Sequence, residues 1–202
     1  MNRIARIGLD LDNTIIDYSV AAKKYATDNG FRMPENLANL RIDLRALGDL
    51  EWQKAQAWLY TEGLTYAKPA AGWNHFLQKI FECEVQLYIV SHKTRVSTVG
   101  LRNLNLHSYA MDWLENVLNI SDITQLQGVF FLPTREAKIE KLASLKLDCF
   151  VDDLVEVLTD SKFPTSVKRI LYNSNSNPES MTSVASFFEL TEKIFDDKSY
   201  RD

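Results

Sequence analysis

The sequence predicts an α/β fold, a doubly wound parallel sheet with a small α-helical insertion after its first strand. Two observations carry this reading. Short apolar runs of strand length, around Ile7, Leu87, Phe131, Phe150 and Ile170, alternate with segments whose apolar residues recur at helical spacing. Strands that alternate with helices build parallel sheets. Three of the runs also end on polar side chains, Asp10 with Asp12, Ser91, and Asp152 with Asp153, and in such sheets ligands bind beyond the carboxyl ends of the strands.

The first run is the most informative: Ile7-Gly8-Leu9-Asp10-Leu11-Asp12-Asn13-Thr14. An apolar segment ending in two carboxylates one residue apart reads as a buried strand whose tip delivers both. Alternate residues of an extended chain share a face, which places the two Cα atoms roughly 6 to 7 Å apart. That separation suits two groups that hold one hard cation or act on one substrate from two sides.

From Asp17 the pattern turns helical. Ser19 is placed to cap a helix from Val20 to Asn29, with Gly30 at its exit. After Pro34, the residues Leu37, Leu40, Leu44 and Leu47 form a stripe at helical spacing. Gly48 and Asp49 separate it from a further helix carrying Trp52, Ala55 and Leu59. Residues 17–68 therefore read as an insertion without strands, and residues 1–16 and 69–202 as the sheet domain. Trp52, Trp58, Tyr60 and Tyr66 are expected to build the insertion's own core. Arg41 and Arg45 lie on one of its helical faces.

Pro69 and Gly72 punctuate the return. A helix over residues 72–81 leads into a strand at 85–90 that ends at Ser91. Helices over 95–103 and 108–118 come next, followed by a strand at 129–132 closed by Pro133. The helix over 135–145 turns Ile139 and Leu142 inward and carries Lys138 near its start. Strands at 147–151 and 167–172 follow, then a turn-rich loop at 173–178 and a closing helix marked by Val184, Phe188, Thr191 and Phe195.

Composition narrows the function. A chain of 202 residues, 46% hydrophobic and 25% charged, suits a globular domain with an insertion. Its net charge of −4, with no cluster of Lys and Arg among aromatics, argues against nucleic acid as a partner. No apolar run approaches membrane-spanning length, and the first is cut at Asp10, too early for a signal peptide. A cytoplasmic protein with no membrane partner is expected. Cys83 and Cys149 flank apolar runs and read as reduced core residues.

Four motifs, DLDNT at Asp10 to Thr14, the strand ending in Ser91, Lys138 within AKIEKLASL, and FVDD at Phe150 to Asp153, occur in one order. Together they resemble the haloacid dehalogenase-like (HAD) hydrolases, most of which are phosphatases. The resemblance spans residues 4–153, and the insertion looks like that family's helical cap between its first two motifs. It implies a Rossmann-like core, a Mg²⁺ cofactor and a small phosphorylated substrate. On this pattern Asp10 is the nucleophile and Asp12 the general acid and base. Ser91 and Lys138 hold the phosphate, with Lys141 the rival to Lys138. Asp10, the backbone carbonyl of Asp12, and Asp152 or Asp153 ligate the metal, with Glu156 a candidate for its outer shell. The chain departs from many relatives at Asn13, where they have Gly, and at Val151-Asp152-Asp153, where they have a longer acidic motif.

The same roles suit the chemistry of the residue types. Phosphate monoesters hydrolyse very slowly, so a covalent intermediate on a carboxylate divides one hard step into two. A second carboxylate whose pKa is moved toward neutrality can protonate the leaving oxygen and then deprotonate water. Carboxylates facing a phosphoryl dianion need a cation between them, and Mg²⁺ favours a few carboxylates with substrate oxygen and water. The expected function is a Mg²⁺-dependent phosphatase of a small metabolite working through an aspartyl-phosphate, beneath a cap that closes to exclude water. A phosphotransferase or mutase shares the intermediate. A receiver domain also combines acidic residues, Ser or Thr and Lys, but usually opens with an acidic pair and places its acceptor on a middle strand.

Overall fold

The computed structural model describes residues 4–97, 99, 104–172 and 181–196. The chain divides into two compact units, one comprising Met1–Ile15, Ala70–His92 and Ser121–Asp202, the other Ile16–Pro69 and Lys93–Ile120.

The first unit is built on a six-stranded sheet from β1 (Arg6–Leu9), β4 (Gln86–His92), β5 (Leu126–Leu132), β6 (Cys149–Asp152), β7 (Lys168–Tyr172) and β8 (Thr182–Val184), in the order β5-β4-β1-β6-β7-β8. Every pairing in it is parallel. The central strands β1 and β6 have their apolar residues buried on both faces, which is why they read as unbroken apolar runs. Gly8 allows their close packing, since a Cβ there would lie 2.5 Å from Leu147 Cδ1 and 2.8 Å from Phe150 Cδ2. Asp148 ties the start of β1 to β6 by accepting from the backbone N–H groups of Ala5 at 2.7 Å and Arg6 at 2.8 Å.

Four helices of this unit, α4 (Trp73–Glu82), α6 (Arg135–Leu145), α7 (Val155–Leu158) and α8 (Phe187–Thr191), accompany the sheet. α4 buries Trp73, Phe76 and Ile80, one helical face, and Phe187 of α8 packs against Trp73 and Phe76 with ring centroids 5.1 Å from each. Gly72, at φ +86°, starts α4 in the left-handed region. A Cβ there would come within 2.5 Å of the Phe188 nitrogen.

The second unit carries α1 (Ser19–Asp28), α2 (Leu37–Leu47), α3 (Asp49–Leu59) and α5 (Leu106–Leu118), with a short antiparallel ladder of β2 (Ile16–Asp17) and β3 (Lys68–Pro69). Leu37, Leu40 and Leu44 bury one face of α2, and Trp52, Ala55 and Leu59 one face of α3. Aromatic pairs knit it together: Tyr25 with Trp58 at 5.5 Å, Tyr18 with Tyr60 at 5.8 Å, and Trp58 stacked on Tyr66 at 6.1 Å.

Several expectations need correction. The insertion is not free of strands, because Asp17 and Lys68 pair in the β2–β3 ladder. Ser19 opens α1 rather than capping it, and its N–H is accepted by the Asp17 side chain at 2.8 Å. Residues 95–97 are not helical, and Val96 bridges Asn105 instead. The remainder of the expected 95–103 helix lies outside the described residues apart from Val99, as does the expected loop at 173–178. Val184 belongs to the edge strand β8, and the closing helix buries Phe187, Leu190 and Ile194 while Phe188 is exposed. No helix among the described residues is long and apolar enough to cross a membrane.

Candidate active site

At the carboxyl end of the sheet in the first unit, β1 and β6 lie side by side and bring Asp10 and Asp152 together. The backbone N–H of Asp10 donates to Val151 O at 2.8 Å, so the pairing persists to the tip. The chain then turns sharply, with the Ile15 N–H bonded to Leu11 O at 3.0 Å. Asn13 takes the left-handed conformation this turn requires, at φ +60°. Asn is one of the few residues other than Gly that tolerate it, and the Asn13 side chain also hydrogen-bonds Asp153.

Lys138 occupies the centre of the cluster. It lies on the inward face of α6, and its ammonium donates to Asp10 Oδ1 at 2.5 Å and to Asp152 Oδ2 at 2.7 Å. All three side chains are buried. The other oxygen of Asp152 accepts from the Leu154 N–H at 2.9 Å. Lys141, one turn along, lies over the Phe130 ring instead, 3.8 Å from its centroid. The helix is fixed at its start by Thr134, whose hydroxyl accepts from the Ala137 N–H at 3.1 Å.

One ammonium does not neutralise this cluster. Burial pushes the Asp10 carboxyl up to about 7, against the pull of Lys138 and with the charges of Asp152 and Asp12 adding to the rise. Burial likewise raises Asp153 well above the usual range, aided by Asp152 and Asp10. For Lys138 burial works the other way, but the two adjacent carboxylates outweigh it and hold the ammonium protonated.

The donor set fits a hard divalent cation. Asp10, Asp152 and Asp153 each offer a carboxylate oxygen, and these oxygens lie within 4.8 Å of one another. An oxygen-only trio of this kind suits Mg²⁺, and a dication would supply the positive charge that Lys138 alone does not. The Asp12 carboxylate stands outside the trio, although its charge reaches Asp10.

Ser91 is buried near the end of β4, the strand next to β1, and its hydroxyl forms no hydrogen bond to the cluster among the described residues. Glu156 is exposed on α7. Arg45 is exposed, and Arg41 lies over the Trp52 ring, 5.9 Å from its centroid, both within the second unit. The polar role of Asn13 is not legible in the sequence, where the position only replaces a glycine; its contact with Asp153 belongs to the folded chain.

Compared with known proteins, the sequence matches no family model and no curated protein. Solved structures do share its fold. The Protein Tyrosine Kinase A of Mycobacterium tuberculosis matches with a TM-score of 0.64 at 15% identity, over 96% of this chain and 100% of that one. A predicted phosphatase from Clostridium acetobutylicum gives 0.60 at 15% identity, over 97% and 100%. YfnB from Bacillus subtilis, described as a HAD-hydrolase and solved bound to magnesium, gives 0.59 at 13%, over 96% and 100%. The chain has the α/β fold of the HAD-superfamily hydrolases.

Proposed function

We propose that the protein is a Mg²⁺-dependent phosphatase of small phosphorylated molecules that works through a phosphoryl group carried on Asp10. The observation that carries this reading is the buried Lys138 ammonium held between Asp10 and Asp152 beside Asp153. The arrangement concentrates carboxylates where a cation and a phosphoryl dianion would offset them. The phosphatase and HAD-hydrolase names among the structural neighbours point the same way.

Asp10 attacks phosphorus as the bond to the leaving oxygen breaks, and Asp12 gives that oxygen its proton. Asp12 then takes a proton from water, the water attacks the phosphoryl group, and the Asp10 carboxylate is released with inorganic phosphate. Lys138 offsets charge on Asp10 and on the phosphoryl oxygens, and Ser91 donates a hydrogen bond to one of those oxygens. Asp10, the Asp12 carbonyl, Asp152 and Asp153 would hold Mg²⁺, which supplies Lewis acidity and charge neutralisation at the phosphoryl group when bound. Residues 17–68 would take the part of a cap.

Release of phosphate from 4-nitrophenyl phosphate, measured with Mg²⁺, after chelation and after Mg²⁺ is restored, tests the reading. Chelation is expected to lower the rate by about 100-fold or more and Mg²⁺ to restore it. Turnover indifferent to chelator would remove the metal from the mechanism. The kinase name of the M. tuberculosis neighbour favours one rival, transfer of the phosphoryl group to another hydroxyl instead of water. Added alcohol acceptors distinguish the two, because a transferase would divert phosphate into a new ester.

A further inference from the structure

We infer that Arg135 is a specificity-determining residue of the proposed phosphatase site, binding a second anionic group on the leaving-group side of the phosphate ester. This inference rests on that reading of the site and adds the class of substrate.

The inward face of α6 is the series Arg135, Lys138, Ile139 and Leu142, at the spacing of one helical stripe. The last three are buried, and Lys138 reaches Asp10. Arg135 holds the first position of the same stripe and is partly buried. Its Nε is fully buried and has no hydrogen-bond partner among the described residues. Leaving a guanidinium donor dry and unpaired is costly.

The neighbouring carboxylate does not relieve that cost. Glu136 is exposed, and its carboxyl is lowered first by its own backbone N–H and then by the Thr134 hydroxyl. The Arg135 charge acts on it only through space.

Position explains what Arg135 awaits. α6 begins just after the end of β5, so its first turn lies at the edge of the parallel sheet where Asp10 follows β1. Helical side chains lean toward the N-terminus, which starts the Arg135 side chain toward that edge. It stands one turn beyond Lys138, roughly 4.5 Å along the axis. Lys138 already faces Asp10, the atom that receives the phosphoryl group, so the next charge outward meets what the phosphoryl group is attached to. A guanidinium fork pairs well with a carboxylate or a second phosphate.

The test compares 2-carboxyethyl phosphate with propyl phosphate on wild-type protein, Arg135→Gln and Arg135→Lys, all with Mg²⁺. Arg135→Gln is expected to raise KM for the carboxylated ester about tenfold or more. KM for propyl phosphate and kcat for both esters should stay within about twofold, and Arg135→Lys should retain part of the preference. An equal loss on both esters, or none on either, overturns the inference. If the wild-type protein turns over neither ester, 4-nitrophenyl phosphate decides the phosphatase reading, and calorimetry with 3-phosphonopropionate and propylphosphonate decides the role of Arg135 separately. A preference for the carboxylated phosphonate that disappears in Arg135→Gln upholds it, and equal affinities overturn it. Should Arg135→Gln not fold, Arg135→Lys alone still reads the difference between the paired ligands.

Discussion

Asp10→Asn is expected to abolish turnover, on the order of 10⁴-fold or more, while the protein stays folded. The carboxamide keeps the shape of the side chain and is too poor a nucleophile to take up a phosphoryl group. Stability should move the other way. Burial raises the Asp10 carboxyl from 3.8 to about 7, so between these values the folded protein binds a proton that the unfolded chain has lost. Stability conferred by the protonated group is therefore full below about 4 and declines as pH rises through 7. In the presence of chelator, the wild-type Tm should fall from pH 5 to pH 8, and Asp10→Asn should fall less and exceed it at pH 8. Mg²⁺ should reverse the wild-type loss by binding the folded state. Thermal unfolding across that pH range, with and without Mg²⁺, checks each part. A wild-type Tm that rises with pH in chelator would contradict the burial of an under-neutralised carboxylate.

Lys138→Met is expected to damage both stability and activity. The ammonium answers two buried carboxylates at once, at 2.5 and 2.7 Å, and removing one partner of a buried ionic cluster typically costs about 3–5 kcal/mol. The loss should be greatest at alkaline pH and smaller near pH 5, where Asp10 is already protonated and needs the ammonium less. Turnover should fall on the order of 10²- to 10³-fold, the usual effect of losing one charge-stabilising group at a reaction centre. Urea unfolding at both pH values measures the first effect, and phosphate release the second. A variant as stable as the wild type at pH 8 would mean that Lys138 does not compensate these carboxylates.

The sequence revealed the fold where burial was simplest. β1, β4, β6 and β7 lie within the sheet's interior, so each is a nearly continuous apolar run that no surface requirement interrupts. The 135–145 helix was legible because a regular apolar stripe follows the break at Pro133. The edge strand β8 was not. Thr-Ser-Val is short and polar, and only pairing with β7 makes it a strand. On the closing helix Thr191 is buried as expected, but the inward aromatic is Phe187 and not Phe188, two residues equivalent in sequence. Beyond α8 the chain also widens into a π-helical turn at Glu192–Asp196, which a 3.6-residue pattern does not follow. That residues 93–120 cluster with 16–69 depends on tertiary contacts between distant segments, which local periodicity does not encode.

The candidate site was legible in its residue types and less so in their arrangement. A carboxylate pair at one strand tip and another at a second tip announced a shared centre, and Asp10, Asp152 and Asp153 do converge. Periodicity could not choose between Lys138 and Lys141, which stand three residues apart on α6. Depth chooses, since Lys138 is buried against Asp10 while Lys141 lies over an aromatic ring. Nor could pattern distinguish an inward arginine at the first turn of that helix from an ordinary solvated one.

The most direct measurement quenches the protein with acid during turnover of a phosphate ester in Mg²⁺, digests it, and locates the phosphoryl group by peptide mass spectrometry. Phosphate on the peptide carrying Asp10, absent from Asp10→Asn and from unreacted protein, is the predicted result. Turnover with no phosphorylated peptide, or with the label on another side chain, would contradict a covalent route through Asp10.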